Sequence, residues 1–258
     1  KTSTGPWIET LEAPWMVPIE TATQISLPTE DVIPLLQMPE PVGDSAASAP
    51  EQLWWYREPT DSQERLPRTF NPSKAASPEM AVAEMVTVGE RLSIGTGPDW
   101  TTVGHAVHAA IALAFVDVCR PIRTEDVQPI LAGYHLAAFI SATTLASQVT
   151  AITQWVGQRW PTAKALPEWP VESILPNGQI VNGRVDLILD VGDHWILLDH
   201  KSNPGARSNW PELANTYGGQ MLAYQTALEM ATGKSVKEIW LVLPVAGGAI
   251  RIERATSA

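Results

Sequence analysis

The sequence predicts an α/β fold: a mixed central β-sheet flanked by helices, preceded by an extended proline-rich arm. Three observations carry this reading. Twelve prolines crowd residues 1–80, a spacing that forbids long helices and central strands. Helical periodicity then dominates residues 78–160. After Pro161 the pattern turns to short apolar runs broken by turn residues, with one long helix among them. The order helices, three strands, helix, two strands belongs to a sheet with helices packed on it.

Residues 1–77 read as an acidic arm or linker, and residues 78–258 as the folded domain. The arm also holds Trp7, Trp15, Trp54, Trp55 and Tyr56, more aromatics than a disordered linker carries, so it is expected to lie against a body. Ser77 and Pro78 are a good N-cap and first position, and SPEMAVAEMVTVGERL is expected to form a helix ended by Gly95, Gly97 and Pro98. DWTTVGHAVHAAIALAFVDV, TEDVQPILAGYHLAAF and SATTLASQVTAITQWVGQRW read as three more. PEWPVESILPN, QIVNGRVDLILDV and HWILLDHKS read as strands joined at Asn177-Gly178 and Val191-Gly192-Asp193. PELANTYGGQMLAYQTALEMATG is a helix stopped by Gly233, and EIWLVLPV and AIRIER are the last two strands.

Composition excludes several classes. No apolar run is long enough to span a membrane, and the first residues carry no secretory pattern. The lone cysteine, Cys119, rules out an iron–sulfur or cysteine-rich zinc site and suits a reducing cytoplasm. Without an initiator Met, the chain is expected to be a piece of something longer. No phosphate-binding Gly-x-x-x-x-Gly-Lys-Ser/Thr loop is present, so no ATP site is expected. The net charge of −11 is unevenly placed: residues 1–64 hold eleven acids against two bases, and the remainder is near neutral.

The chemistry concentrates in GRVDLILDVGDHWILLDHK, residues 183–201. Ile196 to Leu198 should be a buried strand ending in Asp199-His200-Lys201. Alternation puts Asp199 and Lys201 on one face and His200 on the other. The carboxylate suits a hard cation such as Mg²⁺, and the lysine can orient a water or balance charge on a phosphate. Asp186, among apolar neighbours on the preceding strand, is costly when buried alone; a metal shared with Asp199 removes that cost and suits phosphodiester hydrolysis. Asp190 and Asp193 read as turn residues, and a surface Asp–Lys ion pair is the plain alternative for Asp199 and Lys201. Arg184, Arg207, Lys234 and Lys237 are the thin set of cations available for a DNA backbone.

The runs G-R-V-D-L, W-I-L-L-D-H-K-S and Y-G-G-Q-M-L-A-Y resemble the PD-(D/E)XK nucleases. Among these they are most similar to the RecB-like domain at the C-terminus of RecB/AddA-type helicase–nucleases. The resemblance covers roughly residues 95–250 and implies a restriction-endonuclease-like core. It implies Asp186 and Asp199 as metal ligands and Lys201 as catalytic. The family's G-x-x-x-H falls on Gly104 to His108, which implies His108 as a ligand and leaves His105 a bystander. Its Q-x-x-x-Y falls on Gln220 and Tyr224, one helix turn apart. A further acid is implied at Glu172, with Glu168 the alternative. The cluster-free branch of the family is implied, with Mg²⁺ or Mn²⁺ as cofactor. The implied partners are DNA, single-stranded ends above all, helicase domains of the same parent chain and a partner subunit, in a bacterial cytoplasm. The expected function is a deoxyribonuclease, exo- or endonucleolytic, in double-strand-break repair. The alternative is a catalytically silent module of the same fold binding DNA ends or a partner.

Overall fold

The computed structural model describes residues 24–26, 32–34, 67–116, 120–175 and 177–255. The arm's aromatic anchors and Cys119 lie outside these residues. The chain divides into two compact units, Lys1–Gln63 and Glu64–Ala258. In the first, β1 (Gln24–Ser26) pairs antiparallel with β2 (Val32–Pro34).

In the second, β3 (Thr69–Phe70) and β4 (Met80–Thr87) precede three helices, α1 (Trp100–Val116), α2 (Thr124–Gly133) and α3 (Ala142–Arg159). β5 (Lys164–Ile174), β6 (Ile180–Asp190) and β7 (Trp195–His200) follow. The long helix α4 (Trp210–Thr232) comes next, then β8 (Val236–Leu243) and β9 (Gly248–Arg254). The seven strands of this unit form one mixed sheet: β7 runs parallel to β8 and β3 to β6, and the other pairs are antiparallel. β5 pairs along the whole of β6. β3 and β7 therefore share the opposite edge of β6, at its two ends.

Two cores cover the two faces. Leu187, Leu189, Ile196, Leu198 and Trp240 pack against α1, α2 and α3. Val185, Ile188, Leu197 and Leu241 pack against α4. The strands of the sheet centre are apolar on both faces because both faces are covered. No helix among the described residues is long and apolar enough to cross a membrane.

The run expected as the first helix is instead β4, paired with β9. Met80 and Val82 face the α4 core, and so does Met85. The register shifts between Val82 and Glu84, so an extra residue flips the alternation. Spacings of two then three imitate a helical stripe. Ser77 does not cap this segment; its Oγ accepts a hydrogen bond from Gly219 N–H at 3.1 Å. α2 also stops earlier than expected, at Gly133, because His135 takes a positive φ of 58°. The unit that carries the site starts ahead of residue 78, since Thr69 and Phe70 already pair with β6.

Candidate active site

β7 is buried along its length, and the site begins where it ends. Leu197 faces α4, so alternation sends Asp199 and Lys201 to that face. Lys201 Nζ lies 2.7 Å from Asp199 Oδ2. It also donates to Gln220 Oε1 on α4 at 3.2 Å and sits 4.5 Å above the Tyr217 ring. Tyr224 shares a hydrogen bond with Gln220. Tyr217, Gln220 and Tyr224 are spaced by three and four, one face of the helix. Gly183 makes room for this group: a Cβ there would lie 2.7 Å from Tyr224 Cε1.

His200 faces the other way, toward α1, yet it is part of the same site. Its backbone N–H donates to Asp186 Oδ2 at 2.7 Å, and its carbonyl accepts from His108 Nε2 at 2.8 Å. The two imidazoles meet edge to face at 5.5 Å. His200 Nδ1 lies 3.7 Å from Asp186 Oδ2, and His108 Nδ1 lies 3.5 Å from the same oxygen. Asp186 reaches both because β6 is irregular there. Val185 packs on the α4 side and Leu187 on the α1 side, so simple alternation fails between them. The β5–β6 register keeps step on either side, from Pro167↔Leu187 to Trp169↔Val185, but Glu168, with a φ of 51°, breaks the pairing across from Asp186.

The electrostatics follow from burial. It favours a neutral Asp199, the negative charge of Asp186 adds to this, and Lys201 opposes it; the outcome is a pKa pushed up to about 6. Burial would also raise Asp186, but the His108 hydrogen bond and the charges of His200 and His108 bring it down to about 2. His200 is itself held down to about 4 by burial. Near neutrality its ring is therefore uncharged, and the His108 contact and the His200 N–H do the holding. Burial opposes the charged form of His108, yet Asp186 raises its pKa. Burial likewise opposes Lys201, and Asp199 raises it.

A divalent cation fits this donor set. His108, Asp186 and His200 each offer a ligand atom within 4.8 Å of the others. A carbonyl oxygen only accepts, so His108 Nε2 carries the hydrogen it gives to His200. In the neutral ring Nδ1 is then a lone pair facing a carboxylate, and only a proton or a cation between them removes the conflict. His200 Nε2 is buried with no hydrogen-bond partner among the described residues, another donor atom left open.

The structure thus gathers His108, Asp186, Asp199, Lys201, Gln220 and Tyr224 at one end of β7. Glu172 is not brought there. It is exposed, aligned with Asn182, and accepts from that side chain at 3.3 Å, because β5 carries it along β6 away from Asp186. Glu168 is the nearer acid by register and pairs with Arg184 at 3.6 Å. Sequence reasoning passed over Tyr217, whose helical spacing to Gln220 was the available signal. It also discounted His200, although that residue sits inside the Asp-His-Lys run. Asp190 does serve its turn, accepting from Gly192 N–H at 2.9 Å.

Residues 88–256, well over half of the chain, match the profile of the PD-(D/E)XK nuclease superfamily. The chain belongs to this superfamily. Its mixed seven-stranded sheet and four flanking helices are the corresponding restriction-endonuclease-like fold. Similar proteins include an ATP-dependent helicase/nuclease subunit from Pelotomaculum thermopropionicum, 35% identical over 94 residues. The corresponding protein from Clostridium acetobutylicum is 40% identical over 74 residues, and that from Desulforudis audaxviator is 24% identical over 165 residues. These alignments cover 35%, 29% and 57% of the chain, but only 7%, 6% and 13% of the relatives' own lengths.

Proposed function

We propose that the chain is a Mg²⁺- or Mn²⁺-dependent deoxyribonuclease, the nuclease part of a helicase–nuclease that trims DNA ends during double-strand-break repair. The observation that carries this reading is the convergence of His108, Asp186, Asp199 and Lys201 on one end of β7. His108, Asp186 and His200 would hold the cation, with Asp199, the further ligand that the resemblance implies, beside them. When bound, the cation supplies charge neutralisation on the phosphate and lowers the pKa of water. Lys201 orients the attacking water and offsets charge that builds on the phosphate oxygens. Gln220 and the Tyr217 ring fix the Lys201 ammonium, and Tyr224 fixes Gln220. The relatives' names supply the helicase context; single-stranded ends, delivered by such a motor, are the substrate this reading takes.

The decisive experiment incubates the chain with end-labelled single-stranded DNA and either metal. Cleavage is expected, with loss on chelation and a fall of about 10²–10³-fold in kcat for Lys201→Ala. Cleavage by Lys201→Ala at the wild-type rate would overturn the assignment. A second reading, a silent DNA-end module, draws on the thin basic surface: Arg184, Arg207 and Lys234 are all engaged within the protein. Calorimetric Mn²⁺ binding with no cleavage in either metal is the outcome that selects it.

A further inference from the structure

Trp100, Tyr134 and Trp169 are the large aromatic side chains near the site that belong to neither core, and Trp100 is the one of the three that lines a cleft with the site residues. Trp100, the first residue of α1, is 47% exposed, whereas Trp160, Trp195, Trp210 and Trp240 are buried. It lines an open cleft of about 470 Å³ together with Gly104, His105, His108, Lys201 and Tyr217. The cleft therefore runs from an exposed indole directly to the residues placed at the reacting phosphate.

Two features show what this cleft accepts. The first is charge. Among the described residues, Lys201 is the one Lys or Arg lining it, and it is already paired with Asp199. Beyond the cation at the reacting phosphate, a nucleic acid gains little there from phosphate neutralisation, which leaves binding along the cleft to another force. The second is the empty strip between Trp100 and His108. Trp100, Gly104 and His108 follow at intervals of four, one face of α1. Glycine is a poor residue for a helix interior, and packing does not require it at 104: an added Cβ would make only ordinary contact with Ser202, 3.7 Å away. The missing side chain keeps the strip open between the indole and the site. A base inside a duplex has both faces occupied by its neighbours, whereas an unpaired base offers a face to an aromatic ring.

We propose that Trp100 is a base-stacking platform which, with the open strip at Gly104, positions a single strand in preference to a duplex. This rests on the nuclease reading above and adds a specificity-determining residue to it. Trp100 stacks on a base close to the scissile phosphate and acts on binding, so KM carries its effect and kcat does not.

The test uses the whole 258-residue chain. Affinity for a fluorescein-labelled oligothymidylate is measured by anisotropy in the Lys201→Ala background, where cleavage does not interfere. Adding Trp100→Ala is expected to weaken binding roughly 5- to 150-fold, the range for one stacked base, and Trp100→Phe to keep most of the affinity. Abasic sites are then walked along the strand. One position should weaken the parent protein and leave the Trp100→Ala form unchanged, a coupling that a merely structural role does not give. Unchanged affinity in Trp100→Ala overturns the platform, and so does an equal loss for single strands, duplexes and every abasic strand. Cleavage by the Trp100-containing chain, with Lys201 intact, is scored separately. If it cuts DNA but shows no coupling, the platform falls and the nuclease stands; if it shows coupling without cutting, the platform stands and the nuclease falls.

Discussion

Asp199 and His200 are chain neighbours pushed in opposite directions by the same burial. A carboxyl raised to about 6 binds a proton in the folded state that the unfolded chain has released above about pH 4. Its stability contribution is present at low pH and lost as pH rises through about 6. A histidine lowered to about 4 releases a proton that the unfolded chain still holds up to about 6.5, so its contribution grows as pH rises over nearly the same window. The metal-free protein is therefore expected to show a nearly flat melting temperature between about pH 4 and 6. Asp199→Asn removes one side of this balance and should gain on the wild type as pH rises, by about 2 kcal/mol at most. Calorimetric scans at about pH 4, 5 and 6 check it, and parallel curves for the two proteins would refute it. His108 gives a companion prediction. His108→Ala should weaken Mn²⁺ binding at least about tenfold in a calorimetric titration, since a ligand lost costs no less than a group that merely orients one. An unchanged affinity would remove it from the metal set.

Helix α4 carries Lys201's partners and also holds the β4 side of the sheet, so its seating matters to the site. Gly218 and Gly219 are where it seats. A Cβ at 219 would come 2.4 Å from the Ala75 carbonyl oxygen, which is backbone. Helix propensity alone says that Gly219→Ala stabilises by about 1 kcal/mol. The clash wins here, because overpacking against fixed atoms costs about 1–3 kcal/mol and the Ser77–Gly219 hydrogen bond is strained with it. A net lowering of the melting temperature by a few degrees is expected. A rise would show that residues 75–77 yield freely. Gly183→Ala tests the strand opposite. It drives Tyr224, and through it Gln220, away from Lys201, so kcat should fall while Mn²⁺ affinity holds.

For the whole molecule, charge is the property with a measurable consequence. The net charge of −11 sits mostly in residues 1–64, and Arg184, Arg207 and Lys234 are spent on Glu168, on Thr87 and the Met85 carbonyl, and on Asp190. Three of the four cations set out for a DNA backbone are thus engaged within the protein, leaving Lys237, and each phosphate contact contributes about −0.7 to the salt slope for single strands. The slope of log affinity against log salt for an oligothymidylate should therefore be no steeper than about −2. A slope near about −5 would reveal a basic track that this distribution of ion pairs does not provide.

Sequence and tertiary structure divided the result along a physical line. Local signals sufficed wherever the local pattern is also the global one. The buried run before Asp199, the hairpin joining it to Asp186, the capped length of α4 and the G-x-x-x-H spacing on α1 could all be read directly. With the resemblance they carried came the family and six residues that the structure brings to one end of β7. The bulge in β4 was not legible, because one inserted residue turns a period of two into an apparent helical stripe. Glu172 was misplaced for a related reason: which acid of β5 stands across from Asp186 depends on antiparallel register. His200 and Tyr217 were the sharper omission. Alternation does send His200 to the opposite face, but α1 brings His108 to that face. The site wraps around the end of β7, and that follows from how helices on both sides of the sheet are docked, which no single stretch of sequence encodes.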